Sequence, residues 1–424
     1  MRKMKKKLTS LLLIATLTMP ALVHGKDSTE TRTRTFQFGF VTPIGTNGTD
    51  SWNVTNKFSI NLLAGYAAGV DGVEFSGLTS ILKSEMNGAQ FSGLGNLVLG
   101  KSRGAQFSGL FNIVLKNMQG AQAAGFINFT RGAARGIQIA GFANYAKGGI
   151  VAQVAGFSNI STGITKGFQL AGFTNIISQQ LKGVQMAGFF NYGKGEKFSQ
   201  IGGFGNVVVK DLRGFQLAGF TNITTGMIKG VQISGFFNYA RKLNGVQIAP
   251  FNFIDSLEKG VPIGVLSIVR NGYRAFEFSA TETLYGVFSF KTGVRKFYNI
   301  LSVGGGYRDK LSLFAWGYGL GTLVPISKKV DLAIEGLCYQ VNEGEWFTNR
   351  VNLLNKLNFT ASWKIAKHTA IFGGLSWNIT VSDVTDEYGD KIEAHIAPWS
   401  VFDELYNERI NVKMYPGMTI GVRL

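Results

Sequence analysis

Two sets of side chains in this 424-residue chain recur at intervals fixed enough to do chemistry together. The first is a set of amides. Gln90, Gln106, Gln122, Gln138, Gln153, Gln169, Gln185, Gln200, Gln216, Gln232 and Gln247 follow one another at 15 or 16 residues. Asn96, Asn112, Asn128, Asn144, Asn159, Asn175, Asn191, Asn206, Asn222 and Asn238 keep the same step. An amide both donates and accepts, so such rows can bind sugar hydroxyls if they face outward. If they face inward they can satisfy each other as hydrogen-bonded ladders. The second set is cationic: Arg103, Arg135, Lys166, Lys182, Lys197, Arg213, Lys229 and Lys259 each stand just before a repeat. Stacked repeats would align them along one edge, either as a solvated corner or as a linear site for a polyanion.

Catalytic sets are missing from the pattern. The three histidines, His24, His368 and His395, have no metal-ligand spacing. No nucleophile elbow, phosphate-binding loop or zinc-protease motif occurs. Asp383, Asp386, Glu387, Asp390, Glu393, Asp403, Glu404 and Glu408 crowd one segment against Lys391. Hard oxygen ligands would suit calcium, but their spacing matches no calcium loop and reads as a solvated acidic loop. The expectation is a protein without catalysis, metal or cofactor.

The elements that must position these residues come from one repeated unit. It reads Gly-Φ-Gln-Φ-Ala-Gly-Phe-x-Asn-Φ plus a polar tail, where Φ is apolar. Copies begin at Gly72, Gly88, Gly104, Gly120, Gly136, Val151, Gly167, Gly183, Phe198, Gly214, Gly230, Gly245 and Gly260. Within one copy Phe168 and Leu170 alternate with Gln169 and Ala171, the two-residue period of a strand. Gly172 then permits a corner or a close backbone approach. Equal copies at equal spacing favour a β-solenoid of stacked parallel coils, roughly 60 Å tall at ~4.8 Å per rung. The alternative makes each copy an extra strand of a wide antiparallel barrel, although there the natural period is two strands. Pro250 and Pro262 appear only in the last two copies, where a missing N–H suits capping coils.

Beyond residue 270 the repeat gives way to long alternation. Leu357, Phe359, Ala361, Trp363 and Ile365 oppose Lys356, Asn358, Thr360, Ser362 and Lys364. Val330, Leu332 and Ile334 oppose Asp331 and Glu335. Strands of about ten residues with one apolar and one polar face are the signature of a membrane β-barrel. Eight are expected near 273–281, 283–291, 298–307, 311–324, 328–340, 354–365, 369–381 and 415–424. Two alternating segments before the repeats, around Phe36–Phe40 and Phe58–Ala64, read as the first barrel hairpin. The expected fold is therefore all-β: a repeat array inserted in an outer-membrane antiparallel barrel of about ten strands. The boundaries are a signal peptide at 1–25, the first hairpin at 26–67, the repeats at 68–270 and the remaining strands at 271–424. The array would leave and return on the periplasmic side.

The leader rests on a basic start, MRKMKKK, an apolar run from Leu8 to Val23, and Val23-His24-Gly25 as a cleavage site. Cys338 is the one cysteine, so no intrachain disulfide can form. The formal charge is +18, and removing the five leader cations leaves +13. Residues 88–253 hold fifteen Lys or Arg and two acids, Glu196 and Asp211, so the array carries the whole excess. In an exported protein, nucleic acid is excluded as the anionic partner. Outer-membrane lipid, lipopolysaccharide, acidic glycan and anionic wall polymer are the candidates.

The repeats GAQFSGLFN, GFQLAGFTN and GVQISGFFN resemble a bacterial family of surface repeat-containing outer-membrane proteins. FQFGFVTPIGTNG, AGYAAGVDGVEFSGL and FKTGVRKFYNILSVGGGYRDK share that resemblance. It implies a place in the cell envelope and no activity or catalytic residue. The function expected is a structural or binding protein that presents a basic, amide-laddered surface to envelope or host polymer. The alternative is a porin or transport channel with the repeats in its wall.

Overall fold

Units one repeat apart lie directly over one another. Gly104 pairs with Gly120 and Gln106 with Gln122, and both then pair with Gly136 and Gln138, always in parallel. Each coil has two strands. The longer carries Gln, as in Met118–Ala124; the shorter carries Asn, as in Ile127–Thr130. The computed structural model describes residues 31–347, 350–366, 368–384 and 394–424. They form a parallel β-solenoid of about 13 turns followed by a closed eight-stranded antiparallel barrel. The leader, and the part of the acidic loop holding Asp386, Glu387, Asp390, Lys391 and Glu393, fall outside the described residues. No described helix is long and apolar enough to cross a membrane.

Glycine sets the shape of a coil at two places. Gly104 has φ +120°, and a Cβ there would lie 1.9 Å from the carbonyl oxygen of Gly88 on the coil below. Gly172 turns the second corner, where a Cβ would lie 2.1 Å from the oxygen of Gly156. Backbones that approach this closely exclude any side chain. Half of the coil interior is apolar: Leu82, Met86, Val98, Val114, Met118 and Ile150 pack in one cluster. The other half is amide.

Two expectations change here. The segments taken as a first barrel hairpin are strands Arg32–Val41 and Val54–Ala67, and they pair in parallel, with Phe36 against Phe58 and Phe38 against Ile60. Val54–Ala67 in turn pairs in parallel with the next coil. Both belong to the solenoid, so the barrel has eight strands instead of ten, and the array precedes it rather than interrupting it. Alternation looks the same in a coil strand and a barrel strand; only the sense of pairing separates them. The repeats are likewise coils and not strands of a widened barrel wall.

The barrel strands are Tyr273–Thr281, Gly286–Val294, Phe297–Arg308, Leu311–Pro325, Val330–Glu343, Asn352–Lys364, Ala370–Asp383 and Ile410–Arg423. Closure comes from Phe278 pairing with Val422. The outer wall is apolar, with Trp316, Leu332, Phe359, Trp363, Leu375 and Ile420 exposed. The interior is filled and mixed: Tyr298, Ile300, Leu313, Leu337 and Leu354 belong to one buried apolar cluster, and a set of buried ions lies among the same inward positions. Lys291 lies 2.6 Å from Glu277 and also pairs with Glu335, while Arg423 Nε donates to Glu277 at 2.5 Å. Lys356 meets Glu282 at 2.8 Å. An eight-stranded barrel is just wide enough for such side chains to fill. The solenoid joins the end that carries the short turns. There the Ser267 N–H donates to Asn299 Oδ1 at 2.9 Å, and Thr292 Oγ1 donates to the Ser267 carbonyl at 3.0 Å. The solenoid's apolar core runs on into Val294 and Phe297 of the barrel.

Candidate polyanion-binding edge

The amides are interior. Gln90, Gln138, Gln169, Asn112, Asn144 and Asn175 are at most 1% exposed, so no amide row faces a sugar. Gln106 Nε2 donates to Gln90 Oε1 at 2.9 Å, and Gln122 Nε2 to Gln106 Oε1 at 2.9 Å. Asn112 Nδ2 donates to Asn128 Oδ1 at 2.9 Å and also to the Ala123 carbonyl at 2.8 Å. The Gln column donates toward the amino terminus and the Asn column toward the barrel, so their dipoles oppose each other along the axis. Translation by one rung brings each amide to its complement, which is why a neutral polar row can be buried.

The Gln column ends differently at its two extremities. At the first, Glu74 stands in the Gln position and accepts from Gln90 Nε2 at 2.9 Å, Asn61 Nδ2 at 3.1 Å and Ser80 Oγ. Burial pushes the Glu74 carboxyl above the usual carboxylate range, and these donors pull against that rise. At the other extremity Pro262 pairs with Gln247, whose Oε1 has no partner. One further short strand, Leu266–Val269, completes the array.

The cations lie where stacking requires. Lys166 pairs with Lys182, Lys182 with Lys197, Lys197 with Arg213, and Arg213 with Lys229. These five are exposed on consecutive rungs of one column. The same column continues through Asn244 to Lys259. Arg103 and Arg135 share it on the amino-terminal side but flank Gln119, and Arg103 is engaged by Glu85 at 3.6 Å. The column breaks at Ile150, which is 0% exposed and packs into the core. Among the described residues, no ion pair engages Lys166, Lys182, Lys197, Arg213 or Lys229. Rungs ~4.8 Å apart put neighbouring charges at a repulsion of roughly 1 kcal/mol in water, which a bound polyanion would relieve.

No group of three or more potential metal ligands occurs among the described residues. His395 Nδ1 lies 3.1 Å from Asp309 Oδ2 in a loop. Sequence reasoning missed the interior ion cluster of the barrel. Its signal was present: Glu277, Lys291, Glu335 and Arg423 all occupy inward positions of their alternating strands. Comparisons of the chain with protein-family models, curated proteins and solved structures found no match.

Proposed function

We propose that this chain is an outer-membrane binding protein without a catalytic step. Its barrel sits in lipid, and its solenoid offers a basic edge to a linear anionic polymer of the envelope or of a host. The observation that carries this reading is the run of five exposed cations from Lys166 to Lys229 on consecutive rungs, none in an ion pair with a described side chain. An outer wall that exposes Trp316, Phe359, Trp363 and Leu375, around an interior that holds buried ions as well as apolar side chains, supports the membrane assignment. Membrane barrels of this kind have short turns on the periplasmic side, so the solenoid would hang there. The resemblance of the repeats to surface repeat proteins points to the same compartment.

The test uses the full chain in detergent, with heparin and purified lipopolysaccharide as probes. Replacing Lys166, Lys182, Lys197, Arg213 and Lys229 together by Gln is expected to weaken binding about tenfold or more and to flatten its salt dependence. Unchanged affinity, or binding insensitive to salt, would remove the basic edge from the mechanism.

A further inference from the structure

Eight phenylalanines, from Phe126 to Phe236, stand one per coil just after the corner glycine. Their rings stack at 4.8–5.1 Å. Buried rings would need no comment, but these are 39–48% exposed. A second apolar column precedes the same corner, where Phe75, Phe107, Ile139, Leu170 and Ile263 are 40–49% exposed. Together they make an apolar strip on the order of 60 Å long. Such a strip exceeds what a surface without a partner normally leaves bare. Toward the amino-terminal half it hollows into a groove of about 680 Å³, walled by Phe75, Phe91, Phe107 and Ile139 over a floor of Gly93 and Gly125.

Two features identify the occupant. The first is charge. On each long strand the basic column lies four residues before the apolar one, about 13 Å away on the same sheet. Cation and apolar strip thus run side by side from Lys166 to Lys229, which suits a molecule with an anionic head and a long apolar tail. The second is continuity. The last glycine at this corner is Gly264. Its carbonyl accepts from Asn299 Nδ2 at 2.6 Å and Tyr318 Oη at 3.3 Å. Asn299 and Tyr318 alternate with the inward residues of their strands, so they lie on the barrel's outer wall. The strip therefore ends against the apolar wall of the barrel, beside Leu301 and Leu320.

From this geometry we infer that the glycine-cornered strip is a binding site for the acyl chains of an anionic lipid, fed from the bilayer around the barrel. The chain lies along the strip and the headgroup is held by the neighbouring Lys and Arg column. This rests on the reading that the barrel is embedded in lipid.

The experiment reconstitutes the full chain into phosphatidylglycerol–phosphatidylcholine vesicles carrying a photoreactive acyl chain, and maps the adducts by mass spectrometry. Adducts are expected on the barrel wall around Trp316 and Leu375 and also on the strip from Phe126 to Phe236. Replacing Phe142 and Phe173 by Asp is expected to cut the strip adducts about fivefold and leave the barrel adducts unchanged. Ala123→Trp, which fills the groove between Phe107 and Ile139 without adding charge, is expected to do the same locally. Circular dichroism checks that both variants fold. Adducts on the barrel alone would overturn the acyl site and leave the membrane assignment standing. Adducts on neither would overturn both. Equal labelling of the opposite column, at Ile113, Ile160 and Ile176, would replace a defined site with general immersion in lipid. A dimer that shields Phe173 in detergent would assign the strip to a second copy of the chain.

Discussion

The solenoid and the barrel each bury polar side chains, and they satisfy them by opposite rules. In the solenoid the buried group is a neutral amide and its partner is the same residue one coil away, as Gln169 is for Gln185 at 3.0 Å. In the barrel the buried groups are ions whose partners are different residues on other strands, as Lys291 is for Glu277 and Glu335. A self-complementary group can be repeated along an axis without limit. An ion cluster balances only once, inside a closed wall. The difference teaches that a polar interior can serve either growth or closure, according to whether its members are neutral and alike or charged and unlike.

The largest test of this contrast lies in the barrel. Lys291→Met leaves the buried Glu335 without its cation, while Glu277 keeps Arg423, and is expected to destabilise the barrel by about 3–5 kcal/mol. The measurement is the temperature at which the detergent-solubilised barrel loses its folded electrophoretic mobility. An unchanged temperature would mean the cluster is not a unit. A smaller loss is expected in the solenoid. Gln169→Leu leaves Gln153 Oε1 without its donor, which reaches it at 2.6 Å, whereas Gln185 Nε2 keeps the Tyr192 carbonyl at 3.3 Å. The cost is about 1–3 kcal/mol and should be confined to the adjoining coils, as hydrogen exchange would report. Uniform loss of protection along the array would contradict rung-by-rung satisfaction.

The smallest effect concerns the one place where the solenoid adopts the barrel's chemistry. Glu74 is an ionisable group in a neutral ladder, and burial raises its carboxyl in the folded state. The fold therefore binds this proton more tightly than the unfolded chain does. That contribution is complete below the ordinary carboxylate range and is lost as pH rises through the folded value. Glu74→Gln is expected to stabilise the array at neutral pH by at most about 1 kcal/mol, with the gain shrinking on acidification. A gain that grows toward low pH would reverse the sign of the argument.

Much of this architecture was legible in residue spacing. A step of 15 or 16 residues carrying Gln and Asn at fixed places favours parallel, in-register stacking over extra barrel strands, and Gln106 over Gln122 realises it. All eight barrel strands were visible as alternation, because the outward face of each is apolar and the inward face carries many of its polar residues. The error at the amino terminus has a physical cause. Phe36, Phe38 and Phe40 alternate as a barrel strand would, yet their partner runs parallel, and pairing sense is a tertiary property. The basic column was legible because its members are one period apart, but its break at Ile150 was not read as a turn into the core. The exposure of the phenylalanine rings was also hidden. Phe at a fixed position reads as core until the interior is seen to be occupied by amides.

The in-register rungs make this protein a ruler. The distance from the barrel to the far end of the array is a whole number of steps of ~4.8 Å. Adding or deleting one sixteen-residue unit would change that reach by a single step while both terminal structures, the Glu74 end and the Asn299 seat, stay as they are. Reach and anchorage are thus separately adjustable, and slippage during copying of a repetitive gene would tune the first without disturbing the second.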